Sequence, residues 1–197
     1  MEQLCNTADD KLVVDFMSGN EEAFDVLLRR YQDKLYSYIH FIVRNADLAD
    51  DLFQETFVKA IMNLRQGRYT ANGKFYAWLT RIAHNLLVDQ FRDEKNDIMV
   101  RDGDTERSSD VGSYLFDTYR ESELSNEQVM KDIRNLVMHL PDVQREVIQM
   151  RFYQDMSFKE IAEATGVSIN TALGRVRYGI ANMKRMAAEN HMSLVLE

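Results

Sequence analysis

The sequence predicts an all-α chain: two small helical domains joined by an acidic, flexible linker. Three observations carry that expectation. Apolar residues recur at intervals of three and four along every long segment, the period of one helix face. A single proline in 197 residues, among many Leu, Met, Ala and Glu, leaves little to interrupt helices. The periodicity lapses over one acidic stretch, residues 97–126, where Gly, Ser and Asp scatter without pattern. The expected division is therefore a first domain at 1–96, a linker at 97–126 and a second domain at 127–197.

In chain order, residues 9–18 suit a short amphipathic helix with Leu12, Val13, Phe16 and Met17 on one side, stopped by Gly19. Asn20 is placed to cap the long segment EEAFDVLLRRYQDKLYSYIHFIV, whose Phe24, Leu27, Leu28, Tyr31, Leu35, Tyr38, Ile39 and Ile42 make one apolar face. Asn45 breaks that helix. The third, ADLADDLFQETFVKAIMNL, turns Leu48, Leu52, Phe53, Phe57, Ile61 and Leu64 inward and leaves an acidic face opposite. After the loop RQGRYTANGK, a fourth helix, FYAWLTRIAHNLLVDQFRDEK, carries the stripe Phe75, Trp78, Leu79, Ile82, Leu86, Val88 and Phe91. Four helices with short connections make a bundle.

In the linker, Tyr114, Leu115, Phe116 and Tyr119 are more apolar than a spacer needs, so a short docking element belongs there or those residues lie against a domain. Beyond it, a helix through Val129, Ile133, Leu136, Val137 and Leu140 ends at Pro141, which is expected as the first residue of the next helix, through Val143, Val147, Ile148 and Phe152. Ser157 with Glu160 forms a capping box, Gly166 stands where a tight turn needs positive φ, and Ser168 is placed to cap the last helix. Ala172 and Val176 should face the core, and the tail NHMSLVLE should fray.

Charge locates the chemistry. The net charge is −8, but its parts differ: −3 over 1–96, −5 over 97–126 and zero over 127–197. From Ile169 to Arg185 there are four basic residues and no acidic one. A basic helix opened by Ser, Asn and Thr after a tight turn has the pattern of a recognition helix for the major groove. On residues alone, a surface helix hairpin stays open as the alternative. A regulator that binds DNA by itself as a dimer, or a helical interaction protein, also stays open. Cys5 is the only cysteine, so no intramolecular disulfide or Cys-based zinc cluster is expected. His40, His84, His139 and His191 show no ligand spacing, and neither a phosphate loop nor a nucleophile elbow occurs. No enzyme activity and no cofactor are expected. With no long apolar run and no signal-peptide pattern, the expected location is the cytoplasm, without membrane insertion.

The order of parts is specific. DLADDLFQETFVKAI, then FYAWLTRIAHNLLVDQFR, then an acidic linker, then LPDVQREVIQMRF and SFKEIAEATGVSINTALGRVR, resembles a bacterial RNA polymerase sigma factor of the extracytoplasmic function (ECF) subfamily. The resemblance covers about residues 9–188. It implies a sigma2-like first domain, which grips core RNA polymerase and opens the minus-ten element. It implies a sigma4-like second domain, which reads the minus-thirty-five element of promoter DNA.

The resemblance also assigns residues. Asp47, Asp50, Asp51, Gln54 and Glu55 would meet the β′ clamp of the polymerase, and the second domain would meet the β flap. On charge alone, without the resemblance, those acidic residues read as a solvated helix face rather than a contact surface. The minus-ten pocket would be built by the loop before the FYAW helix, notably Tyr69, and by Asn85. Arg68, Lys74, Arg81 and Arg92 would reach phosphates, which position a strand without reading it. Trp78 matches one of two tryptophans that wedge open the duplex in housekeeping sigma factors; the other is Leu79 here, leaving core packing open for Trp78. On the recognition helix, Ser168, Asn170, Thr171, Gly174, Arg175, Arg177 and Tyr178 would face DNA, with Gly174 where many relatives carry Ser. An anti-sigma factor is a further partner that the resemblance allows and the sequence does not decide. The acidic linker would either serve as a spacer or fold back on the basic surfaces of the free protein.

Overall fold

The computed structural model describes residue 4, residues 6–100 and residues 124–190. Cys5, the tail from 191 onward and the stretch 101–123, with its apolar cluster at Tyr114–Tyr119 and most of the linker acid, lie outside the described residues. The chain divides into two compact units, Met1–Gly112 and Ser113–Glu197. Among the described residues every regular element is a helix.

Unit 1 contains α1 (Asp9–Met17), α2 (Glu21–Val43), α3 (Ala46–Arg65) and α4 (Phe75–Val100). Helix α2 is central, packing against α1, α3 and α4, and α3 packs against α4. Leu12, Leu27, Leu35, Tyr38, Ile39, Leu64, Phe75 and Leu79 are wholly buried between them. An aromatic chain runs through this core. Phe16 tilts on Phe24 at 5.0 Å, Phe24 meets Phe57 edge-on at 6.1 Å, and Phe57 meets Phe53 at 5.0 Å.

The ends of the helices explain their boundaries. Asn20 occupies the N-cap of α2 but its side chain makes no capping bond; Glu21 and Glu22 in the first turn favour the helix dipole instead. Arg44 ends α2 in the left-handed region at φ 55°, and Asn45 then caps α3 by accepting from the Leu48 N–H at 3.1 Å. Asn45 thus starts one helix as well as following another.

Two expectations about α4 are corrected. It continues to Val100, past the predicted stop at 95. Val88 and Phe91, expected inward, are each 38% exposed; Leu86 is buried as expected, and Ala83 and Leu87 are buried beside it. Residues 75, 79, 83, 86 and 87 make the tighter stripe that one helix face allows.

Unit 2 contains α5 (Leu124–Met138), α6 (Asp142–Phe152), α7 (Phe158–Thr165) and α8 (Ile169–Glu189). Pro141 stands one position earlier than expected, at the N-cap of α6, with extended ψ of 144°. The capping box is complete: the Ser157 N–H donates to Glu160 Oε2 at 2.8 Å, and the Glu160 N–H donates to Ser157 Oγ at 3.3 Å. Gly166 takes φ 67° and ends α7, and Ser168 Oγ accepts from the Thr171 N–H at 3.0 Å to open α8. Helix α8 packs on α6, α7 and α5. Ala172 and Val176 are buried as expected. Gly179 brings α8 close to α6, since a Cβ there would lie 3.1 Å from Ile148.

Candidate functional site

Three surfaces carry the residues singled out by the sequence. The first is the outer face of α3. Asp47, Asp50, Asp51, Gln54 and Glu55 are all exposed, while Ala49, Leu52, Thr56, Phe57, Ala60 and Leu64 of the same helix are buried. The face is therefore a consequence of helix period, with every inward position filled by an apolar or small residue. Lys59 pairs with Glu55 at 3.0 Å, an exposed i,i+4 pair. Asp50 differs from its neighbours because it accepts a hydrogen bond from the Tyr36 hydroxyl of α2. Burial pushes that hydroxyl above its ordinary range, and the Asp50 carboxylate adds to the effect. His40 stacks on Tyr36 at 6.0 Å; burial holds its imidazole below the usual value, with the Asp50 charge opposing. The sequence reading missed an apolar extension of this face. Val58 and Met62, 55% and 53% exposed, continue the line from Asp51 through Glu55 at helical spacing. The signal was their place in the gaps of the inward stripe.

The second surface is the 66–74 loop and the face of α4 that follows it. Lys74, Trp78, Arg81, Asn85 and Arg92 recur at helical spacing and share one stripe, and Val88 lies on it too. Arg81, Asn85 and Arg92 are exposed and Trp78 is half-buried. At about 1.5 Å per residue the stripe is roughly 27 Å long. Arg68 is exposed on the loop. Tyr69 is not: its ring meets Phe75 edge-on at 5.8 Å and tilts on Trp78 at 4.7 Å. Burial, then the charge of Asp10, pushes its hydroxyl up to about 12. Arg92 pairs with Asp89 at 3.2 Å in an exposed contact.

The third surface is the outer side of α8. Asn170, Thr171, Arg177 and Tyr178 are exposed, Tyr178 by 70%, while Gly174 and Arg175 are half-buried. Ser168 and Thr171 are exposed but engaged with each other, their hydroxyls 2.8 Å apart in the cap. A Cβ at Gly174 would meet nothing within 4 Å. Ile169 and Leu173 add exposed apolar side chains that the sequence reading left out. Among the described residues no group of His, Cys, Asp and Glu could hold a metal ion, and no helix is long and apolar enough to cross a membrane.

Comparison with known proteins places the chain in a family. The Sigma-70 region 2 family matches residues 27–96, and the Sigma-70, region 4 family matches residues 130–172. The second match stops before Gly174, Arg175, Arg177 and Tyr178. The chain is 30% identical over 174 residues to the ECF RNA polymerase sigma-E factor of Haemophilus influenzae, spanning 85% of this chain and 89% of that protein. It is 27% identical over 175 residues to the ECF RNA polymerase sigma factor SigW of Bacillus subtilis, over 86% and 91% of the two chains. Among solved structures, the sigma factor RpoE from Bartonella quintana, in complex with the anti-sigma factor NepR, aligns with a TM-score of 0.67. It has 22% identity and covers 84% of this chain and 96% of its own. CnrH, in complex with the cytosolic domain of CnrY, aligns with a TM-score of 0.64 and 23% identity, over 93% and 99% of the two chains. Those two likenesses concern the fold, and the sequence matches carry the family. The chain belongs to the ECF family of RNA polymerase sigma factors.

Proposed function

We propose that the three surfaces divide the work of an ECF sigma factor. A protein of this family binds core RNA polymerase and confers promoter recognition on it; bond formation belongs to the polymerase, and the sigma factor is not itself an enzyme. In our reading the acidic face of α3 meets a basic surface of the polymerase, the β′ clamp. Exposed carboxylates on a rigid helix set orientation and encounter rate there, and Val58 and Met62 supply the adjoining apolar contact. The second unit meets the β flap.

The 66–74 loop and the stripe of α4 take the minus-ten strand. The observation that supports this most is the alignment of Lys74, Trp78, Arg81, Asn85 and Arg92 on one face. A single strand needs cations for its phosphates, an aromatic wall and an amide for a base edge, and that face offers all three. Tyr69, being buried, serves as the wall behind Trp78 in the free chain. Helix α8 takes the minus-thirty-five duplex, with Asn170 and Arg175 or Arg177 for base edges and Ile169 and Leu173 for thymine methyl groups. The assigned domains are 1–96 and 127–197, with 97–126 joining them. The chain works in the cytoplasm, where core polymerase is, and an anti-sigma factor is the regulatory partner suggested by the RpoE–NepR complex.

The test is to mix the purified chain with bacterial core polymerase. It should co-elute and direct transcription from one defined start, while binding promoter DNA weakly alone. Tight binding to a palindromic operator without polymerase would favour an autonomous regulator instead.

A further inference from the structure

We propose that Asp10 is a positioning residue for minus-ten recognition: from the first turn of α1 it holds the far end of the 66–74 loop in its reading conformation. This rests on the assignment of that loop to the minus-ten strand. Asp10 lies outside the residues matched by the Sigma-70 region 2 family.

The Gly73 N–H donates to both oxygens of the Asp10 carboxylate, at 2.9 and 2.8 Å. The bond joins groups 63 residues apart, so it ties the loop across the domain. Gly73 takes φ 73°, a conformation that glycine adopts without steric cost. The next N–H, of Lys74, goes to Asn72 Oδ1 at 3.2 Å, and α4 begins at Phe75. The turn before α4 therefore hands its donors to a carboxylate and an amide. The start of the loop is closed locally, by the Gly67 N–H on Leu64 O at 3.0 Å and the Arg68 N–H on Asn63 O at 2.9 Å. Its end is closed by Asp10.

The anchor is itself held. Asp9, beside Asp10, accepts from Arg30 and from the Tyr31 hydroxyl. Arg30 also donates to the Thr7 carbonyl at 3.0 Å, and Tyr31 stacks on Tyr76 of α4 at 5.0 Å. One carboxylate thus fixes α1 to α2, and its neighbour fixes the loop to α1. A charge-assisted bond to a backbone donor is stronger than a neutral one, and this one acts on the loop's shape, touching no nucleotide.

The experiment uses the full chain in holoenzyme, with promoters selected from a library randomised in the minus-ten element. Asp10→Ala should reduce the preference for the selected base by roughly tenfold, within the range that one good base contact supplies. Core polymerase affinity and dependence on the minus-thirty-five element should stay within about twofold, because only the loop is released. Asp10→Asn, which keeps a carbonyl acceptor for the Gly73 N–H, should restore most of the preference. Gly73→Ala, strained at that φ, should reproduce the loss, and the double variant should be no worse than either single one. A variant with residues 66–73 replaced by a Gly/Ser segment reads the loop assignment itself. If that variant shifts the base profile and Asp10→Ala does not, Asp10 has no positioning role and the loop assignment stands. If neither shifts it, the loop assignment falls, and the role of Asp10 with it. An equal loss for every base, accompanied by a lower melting temperature, would make Asp10 a structural residue only and overturn the proposal.

Discussion

Tyr69 lies in a loop rich in Gly, Asn and basic residues, yet it is only 7% exposed and its ring closes the aromatic group of Phe75 and Trp78. The family resemblance made it look available for a base; what buries it is contact with α4, which no local pattern announces. The consequence is measurable. Its hydroxyl is pushed from 10.0 to about 12, first by burial, so the folded state holds the proton where the unfolded chain has lost it. That stability is complete below pH 10 and disappears as pH rises toward 12. Tyr31 and Tyr76 are shifted in the same direction, mainly by burial. Stability of the 4–100 unit should therefore fall steeply above pH 10, and Tyr69→Phe should make the fall shallower. Melting curves taken between pH 9 and 12 check this; an unchanged slope in the variant contradicts it. Gly174 offers a second residue-scale test. Space around it is open, so Gly174→Ser should raise the stability of α8 by about 0.5 kcal/mol through helix propensity, with no clash to offset the gain. A lower midpoint in a urea titration of the variant would contradict that.

Helices were legible because period and punctuation agree in this chain. The start of α3 follows from Asn45 and the length of α2 from its apolar stripe, while Asn20 stands at the start of α2 without capping it. The outward acidic face of α3 followed from the same period. Less legible were the small positions Ala23, Ala49, Thr56 and Ala60, all wholly buried. Small residues carry little weight in an apolar pattern, though they decide how near two backbones come. Val88 and Phe91 erred the other way, apolar in type but exposed in fact. Asp10 was not legible at all, since its partner is a backbone N–H far along the chain. The capping box of α7 was fully readable and predicts its own energetics. Ser157→Ala should cost about 1 kcal/mol by leaving the Glu160 N–H without its partner. Amide exchange across 157–165 is the measurement: protection should fall there first, and unchanged protection would show the cap to be idle.

The whole chain is acidic by eight charges, yet it belongs to a family that works on nucleic acid. The apparent conflict disappears when charge is assigned to surfaces. Carboxylates crowd the exposed side of α3 and the 97–126 segment, while α8 is free of acid from Ile169 to Arg185. The face proposed for the polymerase and the face proposed for DNA thus carry opposite signs within one chain. The order of those parts was readable from sequence. The pairing of Asp50 with Tyr36 and the mixed acidic and apolar surface reaching Val58 and Met62 needed the fold. Asp51 and Glu55 are the cleaner probes of that surface, because Asp50 also holds α2. The most direct measurement is the affinity of core RNA polymerase for the double variant Asp51→Lys, Glu55→Lys against the unmodified chain. It should be made at about 0.15 M salt, where charges beyond roughly 8 Å are screened and direct contacts dominate. A loss of at least tenfold is expected with the melting temperature unchanged, since both side chains are exposed and surface changes usually cost under about 0.5 kcal/mol. Equal affinity of the two proteins for core polymerase would contradict it.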